Sequence, residues 1–168
     1  MFQIAPLSQF AENDVETLLD AAFGADRKAR TAYKMRAGTK AIELLSFGAA
    51  DANGDLVGTL QSWPVLLQNA DGANDPLTLV GPVAVQPNLQ RGGVGKLLME
   101  ALVTTAPALG HEALVMIGDP EYYGRFFGFT ADATAGWEVP GPVDRHRLLA
   151  RISRKGGVAA FGRIVPNP

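Results

Sequence analysis

The feature that most narrows what this chain can become is the run LTLVGPVAVQPNLQRGGVGKLLMEALVTTA, residues 77–106, whose hydrophobic period changes midway. Leu77, Leu79, Val80, Val83 and Val85 make an apolar, β-branched stretch closed by Pro87, the pattern of a central strand buried on both faces. Pro82 removes one ladder donor and predicts a bulge or splay. From Val94 the apolar residues fall at helical spacing: Val94, Leu97, Leu98, Ala101, Leu102 and Thr105 share one stripe. Strand and helix are joined by Gln90-Arg91-Gly92-Gly93-Val94-Gly95-Lys96.

Three glycines at a helix start let a ligand approach the backbone closely, while the first-turn N–H groups have no helical partner and point outward. The helix dipole adds about half a positive charge there, and Arg91 and Lys96 add whole ones, so a phosphate or pyrophosphate is the natural guest. A Walker loop is excluded, because Gln90 stands where its first glycine would be and Leu97 follows Lys96. A dinucleotide fingerprint finds Gly93 and Gly95 but meets Leu98 at its third glycine, although Asp119 follows the next strand where a ribose-binding acid could sit. A third pattern, Q-x-x-G-x-G, is filled by Gln90, Gly93 and Gly95.

That third pattern, with GPVAVQPNLQRGGVGKLLM around it and GDPEYYGRFFGF at 118–129, resembles the GCN5-related N-acetyltransferase (GNAT) family, in its bacterial YhbS-like branch. The resemblance covers about residues 40–130, with compatible flanks. It implies a mixed α/β fold in one domain spanning 1–168, a mostly antiparallel sheet with a splayed parallel central pair, and helices around it. It also implies acetyl-CoA as co-substrate, with the pantetheine arm along the backbone of Val83, Ala84 and Val85 and the pyrophosphate held by Gln90, Arg91, Gly92, Gly93, Val94, Gly95 and Lys96. Asp119 and the helix carrying Tyr122, Tyr123 and Phe126 would flank the thiol. On this reading the protein transfers acetyl to a primary amine of a small molecule or peptide by direct attack in a ternary complex. The alternatives are a non-catalytic acyl-CoA sensor and a dinucleotide-binding domain.

Composition narrows the partners. The net charge of −2, without a face rich in Lys and Arg, argues against nucleic acid. The absence of cysteine excludes disulfides, Cys-ligated metal and an acyl-enzyme thioester. The Asp and Glu residues lack metal-ligand spacing, and no metal is expected. MFQIAPLSQF has no basic segment ahead of an apolar core, and no apolar run approaches membrane length, so the expectation is a cytoplasmic protein with no membrane association, for which a homodimer is allowed.

Elsewhere, residues 1–5 predict an edge strand, and Ser8 is placed to cap a helix that stops at Gly24. Residues 26–37 predict a helical piece with a charged, largely solvated face, and the resemblance puts this segment beside the acceptor pocket. Strands are expected at 41–50 and 56–67 around an Asn53-Gly54 turn, completing an antiparallel meander with the central strand. After the glycine-loop helix, residues 113–117 predict a short strand running parallel to the strand at 79–85 through a right-handed crossover. Asp119-Pro120-Glu121 opens a short helix ending at Gly128, and 134–152 holds two strands around a Pro-Gly turn.

Attack on a thioester needs a deprotonated amine, whose pKa is about 10.4 when lysine-like, and the departing thiolate gains from a donor. A phenol suits, and Tyr123 is the first candidate with Tyr122 the second. The resembling family reads YYxRFGF where this chain has YYGRFFGF, so the added phenylalanine leaves open which phenol points inward. Glu43 and Glu121 are the candidate bases. His111 is expected to be structural, and His146 exposed.

Overall fold

Residues 77–106 form a central strand of a single eight-stranded sheet and most of the helix packed on it. The computed structural model describes residues 1–168. Its strands are β1 (Gln3–Pro6), β2 (Phe47–Ala50), β3 (Leu56–Gln68), β4 (Asn74–Val85), β5 (Ala113–Ile117), β6 (Gly136–Glu138), β7 (Leu148–Ile152) and β8 (Phe161–Pro166). Its helices are α1 (Glu12–Phe23), α2 (Thr31–Met35), α3 (Val94–Ala108) and α4 (Pro120–Phe127). The main strand order is β1-β2-β3-β4-β5-β7. Strand β3 is long enough that β2 pairs with its first half and β8 takes the same edge at Val65–Gln68. The pairs are antiparallel except β4 with β5 and β6 with β8.

The apolar stripe of α3 (Val94, Leu98, Met99, Leu102, Ala106) is fully buried on one face of the sheet, together with Phe127 and Phe129. Helix α1 covers the other face through Val15, Leu18 and Leu19, which pack with Ala84 of β4. A Cβ on Gly58 of β3 would lie 2.5 Å from Val94 Cγ1, so the first turn of α3 can seat this deeply only because position 58 has no side chain.

Three local expectations give way to other geometry. Ser8 does not cap α1; it lies in a 3₁₀ turn, Leu7–Gln9, anchored by buried Leu7, whose N–H donates to Ser46 O at 3.0 Å. The helix begins at Glu12 without a side-chain cap, and Glu12 and Asp14 put negative charge in its first turn. The strand predicted at 41–50 shrinks to Phe47–Ala50, because Ser46 Oγ donates back to Ile42 O at 2.9 Å across a 3₁₀ turn, Glu43–Leu45. The helical piece at 26–37 is two short turns, Arg27–Ala29 and α2.

Two strands do form within 134–152, but they do not pair with each other. Strand β6 joins β8 from the chain's tail, and β7 joins the free edge of β5. The bulge expected at Pro82 is present: the β3–β4 register shifts between Leu60 and Ser62, so that two residues, Gly81 and Pro82, stand opposite Gln61 alone. Gly81 has φ +123, a backbone state that favours glycine.

Candidate active site

Strands β4 and β5 pair only at Thr78↔Leu114 and Leu79↔Val115. Beyond that point they part, so Val80 to Val85 keep β3 on one side and open a cleft on the other. Gln86 N–H donates to Val57 O at 2.9 Å. Antiparallel alternation then turns the backbone of Ala84 toward β3 and that of Val83 and Val85 toward the opening. Of the three residues expected along the pantetheine arm, two present free peptide groups to the cleft. Ala84 instead lends its side chain to the core under α1.

The cleft leads to the glycine loop. Gly93 is the N-cap of α3 with φ +82, and no side chain caps that end. Gly92 N–H is used internally, on Leu89 O at 2.9 Å. The amides of Gln90, Arg91, Gly93, Val94, Gly95 and Lys96 have no partner within the chain. Those of Gly93, Val94, Gly95 and Lys96 belong to the first turn of a fifteen-residue helix, where the dipole is positive, and those of Gln90 and Arg91 immediately precede it. Nothing lies within 4 Å of where a Cβ on Gly93 would stand, and Gly95 meets only Val85 at 3.7 Å, so the cradle is open to a ligand. Lys96 Nζ lies 5.3 Å from the ring centroid of exposed Phe126, bringing α4 to the edge of the cradle.

Helix α4 is built as its sequence predicts. Asp119 accepts from Glu121 N–H at 3.0 Å as N-cap, Pro120 is the first helical residue, and Gly128 closes the helix at φ +71. The extra phenylalanine is absorbed by sending Phe126 outward and Phe127 into the core. Tyr123 lines the cleft, and Tyr122 packs edge-on against it at 5.0 Å between centroids, outside the cleft wall. Burial pushes the Tyr123 phenol up to about 12; the charges of Tyr122 and Asp119 act the same way, against a smaller lowering by Arg147. Tyr122 is also raised, first by burial and then by Glu100.

The cleft holds about 1010 Å³. It is lined by the bulge Val80–Val83, by Gly118, Asp119 and Tyr123, and by residues from 23–36 and 142–147. Those last two segments are clasped together: Thr31 Oγ1 donates to Pro142 O, and a Cβ on Gly141 would come within 2.7 Å of that hydroxyl oxygen.

The charge run at 26–37 is therefore not simply a solvated face. Arg27 is buried and binds Glu16, Asp20 (2.9 Å) and the hydroxyl of Tyr33 (2.7 Å). Burial opposes its charge, but bonds with Tyr33, Asp20 and Glu16 outweigh that and raise its pKa. The spacing of Glu16 and Asp20, one turn apart on α1, was the available signal for such a partner. Arg36, also in the wall, stacks on Tyr33 and Trp63.

The two acids singled out as candidate bases lie elsewhere. Glu43 is exposed on its 3₁₀ turn and Glu121 is exposed on α4, whereas the carboxylates lining the cleft belong to Asp119 and Asp144. His111 Nδ1 is 2.9 Å from Thr78 Oγ1, a structural contact at a strand corner, and His146 is exposed. No cluster of His, Cys, Asp and Glu has the arrangement of a metal site. No helix is long and apolar enough to cross a membrane.

Comparison with known proteins follows from this geometry. A family model described as an acetyltransferase (GNAT) domain matches residues 3–131. The fold is similar to that of the GNAT family N-acetyltransferase YhbS from Escherichia coli, solved in complex with CoA, with a TM-score of 0.73 at 20% identity over 99% of this chain and 89% of that one. It is similar also to a GNAT family acetyltransferase from Brucella melitensis in complex with acetyl-CoA, with a TM-score of 0.67 at 24% identity over 99% and 96% of the two chains. A GCN5-related N-acetyltransferase from Kribbella flavida shares the fold over 77% of this chain and 34% of its own, with a TM-score of 0.56 at 18% identity. No curated protein matches in sequence.

Proposed function

The chain belongs to the GNAT acetyltransferase family, and from that premise we propose that it moves the acetyl group of acetyl-CoA to a primary amine carried by a small molecule or peptide. The observation that carries this reading is the cradle of six unpartnered amides at 90–96, continuous with the opening between β4 and β5. The two solved structures similar to this chain over 99% of its length are complexes with CoA and with acetyl-CoA, which supports the same choice of co-substrate.

The residues present fit that group. Amides of Gln90, Arg91, Gly93, Val94, Gly95 and Lys96, with the two cationic side chains, suit a diphosphate. Free peptide groups of Val83 and Val85 suit the amides of an extended pantetheine arm, which would lie as an added strand. Gly92 contributes by its size, since its own N–H is spent on Leu89. When bound, acetyl-CoA supplies a thioester, an acyl group already activated toward amines.

The chain's own part is to exclude water, orient the amine and answer the charge that builds on sulfur. The new C–N bond forms as the C–S bond breaks, and with no cysteine present the transfer has no acyl-enzyme stage of that kind. Tyr123 faces this point with a protonated hydroxyl. Its pKa of about 12 makes it a weaker acid than a thiol, so burial favours donation of a hydrogen bond to the sulfur as negative charge develops, with proton transfer completing late. Asp119 and Asp144 are the cleft carboxylates that can take the amine's proton, directly or through water.

Calorimetry with acetyl-CoA, CoA, ATP and NAD, followed by thiol release with a panel of amines, tests the assignment. Acetyl-CoA binding with amine-dependent thiol release is expected. Tight NAD binding without CoA binding would overturn it, and CoA binding without turnover of any amine would favour the sensor.

A further inference from the structure

Four arginines line the cleft, and Arg36 alone is both held between aromatic rings and left without an ion pair. Its guanidinium carbon lies 3.5 Å from the ring centroid of Trp63 and 4.1 Å from that of Tyr33. Both rings are themselves fixed. Trp63 is buried, and its indole N–H donates to Gly81 O at 2.7 Å, tying it to the bulge that lines the cleft. The Tyr33 hydroxyl accepts from Arg27 Nη1.

A guanidinium held in this way has lost its rotamer freedom on folding, so an oxyanion that reaches it meets a prearranged, planar set of donors. No carboxylate lies within ion-pair distance of Arg36, and burial outweighs Tyr33 and, at longer range, Glu16, which favour its charge. Arg27, the like charge nearby, is already served by Glu16 and Asp20, while burial works against Arg36 itself and lowers its pKa. A part-buried cation with no ion-paired carboxylate is a cost to the fold, and here it faces an open cavity.

The geometry points to Arg36 as the receptor for an anionic oxygen group, a carboxylate or a phosphate, on the acceptor amine itself. This rests on the acetyltransferase reading above and adds the substrate class: an amine that carries its own anion. The rest of the wall is complementary to such a molecule. Asp119 stands beside Tyr123 on the wall where transfer is placed, and Asp144 lines the same cleft, so negative charge is available for the ammonium end. Exposed Arg30 and Arg147 add to the positive field that would draw the anion in.

The test uses matched acceptors: 4-aminobutyrate against its amide, and 2-aminoethyl phosphate against ethanolamine, each with acetyl-CoA. The anionic member of at least one pair should have a kcat/KM about tenfold or more above its neutral partner, one charged hydrogen-bonded contact's worth. In Arg36→Gln that ratio should collapse toward one. Arg36→Lys, which keeps the charge and loses the planar fork, should retain more of the ratio for phosphate than for carboxylate, which separates the two sources. Glutarate and inorganic phosphate are also titrated against tryptophan fluorescence, since Trp63 stacks on Arg36. A saturable change with one of them, lost in Arg36→Gln, supports the site, and this titration decides alone if no amine in the panel is turned over. Equal rates within each pair, or no saturable change with either anion, would overturn it. Calorimetry keeps the two ideas apart: loss of acetyl-CoA binding sinks the co-substrate reading, whereas intact binding with indifference to acceptor charge sinks this one only.

Discussion

The ring of Tyr123 lies against the backbone of Gly118 so closely that a Cβ at position 118 would stand 2.7 Å from its Cε2 and 2.8 Å from its Cδ2. The end of β5 is thus shaped to seat the phenol, and Gly118→Ala must move either the ring or the strand. We expect a fall in kcat of about tenfold or more from a misplaced donor, with acetyl-CoA affinity nearly unchanged. Steady-state thiol release beside calorimetry checks this, and an unchanged kcat would mean that the ring's position is immaterial.

Removing the hydroxyl itself is the sharper comparison. Tyr123→Phe should lower kcat by roughly 10²-fold or more, the usual contribution of a positioned proton donor, at constant KM for acetyl-CoA. Tyr122→Phe, outside the cleft wall, should cost no more than a few-fold. Reversed magnitudes would transfer the role to Tyr122.

The pH dependence has a defined sign. A phenol pushed up to about 12 remains protonated throughout the range where an alkyl amine loses its proton, so kcat/KM should climb with pH toward about 10 without a descending limb from Tyr123. Because the folded-state pKa lies above the unfolded value, this residue's stabilisation is complete below about pH 10 and is lost as pH rises toward 12. Denaturation curves for Tyr123→Phe should show a smaller loss over that interval than those for the parent chain.

The cradle depends on a backbone state. Gly93 has φ +82, so Gly93→Val carries a penalty of about 1–2 kcal/mol and places a branched side chain at the mouth of the amide cluster. Coenzyme affinity should fall by about 100-fold or more, with thermal unfolding still cooperative. Calorimetry that finds the affinity intact would remove the loop from the binding site.

Arg27→Ala should destabilise the fold by about 2–3 kcal/mol, because a buried side chain bonded to Glu16, Asp20 and Tyr33 is lost while its half-exposed carboxylate partners can turn to water. Urea unfolding measures the loss. It should be accompanied by a raised acceptor KM, since Tyr33 loses its anchor.

The architecture around α3 was legible because its signals are local and redundant: an apolar run, a change of period, three glycines and a capped second helix. Asp119 as N-cap and Gly128 as terminator follow from residue chemistry alone. The resemblance set 26–37 beside the acceptor pocket, but what its side chains do there was not legible, because that arises between distant segments. Arg27 reads as one member of a charged stretch until α1 delivers Glu16 and Asp20 to it, and Arg36, at the end of α2, reads the same way until Trp63 of β3 stacks against it. The tail strand β8 was hidden for a related reason, since Ile164 is buried only because β3 outruns β2 and leaves an edge to fill. Position 84 shows a finer limit: the sequence puts Ala84 in the right strand, but only the pairing of Gln86 with Val57 says which way its peptide faces.

The clasp between Thr31 and Pro142 joins positions 111 residues apart, and neither lies in the strand-loop-helix unit that holds the glycine cradle. On the proposed reading, in which the clasped wall receives the acceptor, descendants of this chain can retune what they acetylate without disturbing how they are charged with acetyl groups. A change on one side of the clasp then calls for a matching change on the other, so that acceptor preference would be inherited as a module with two distant addresses.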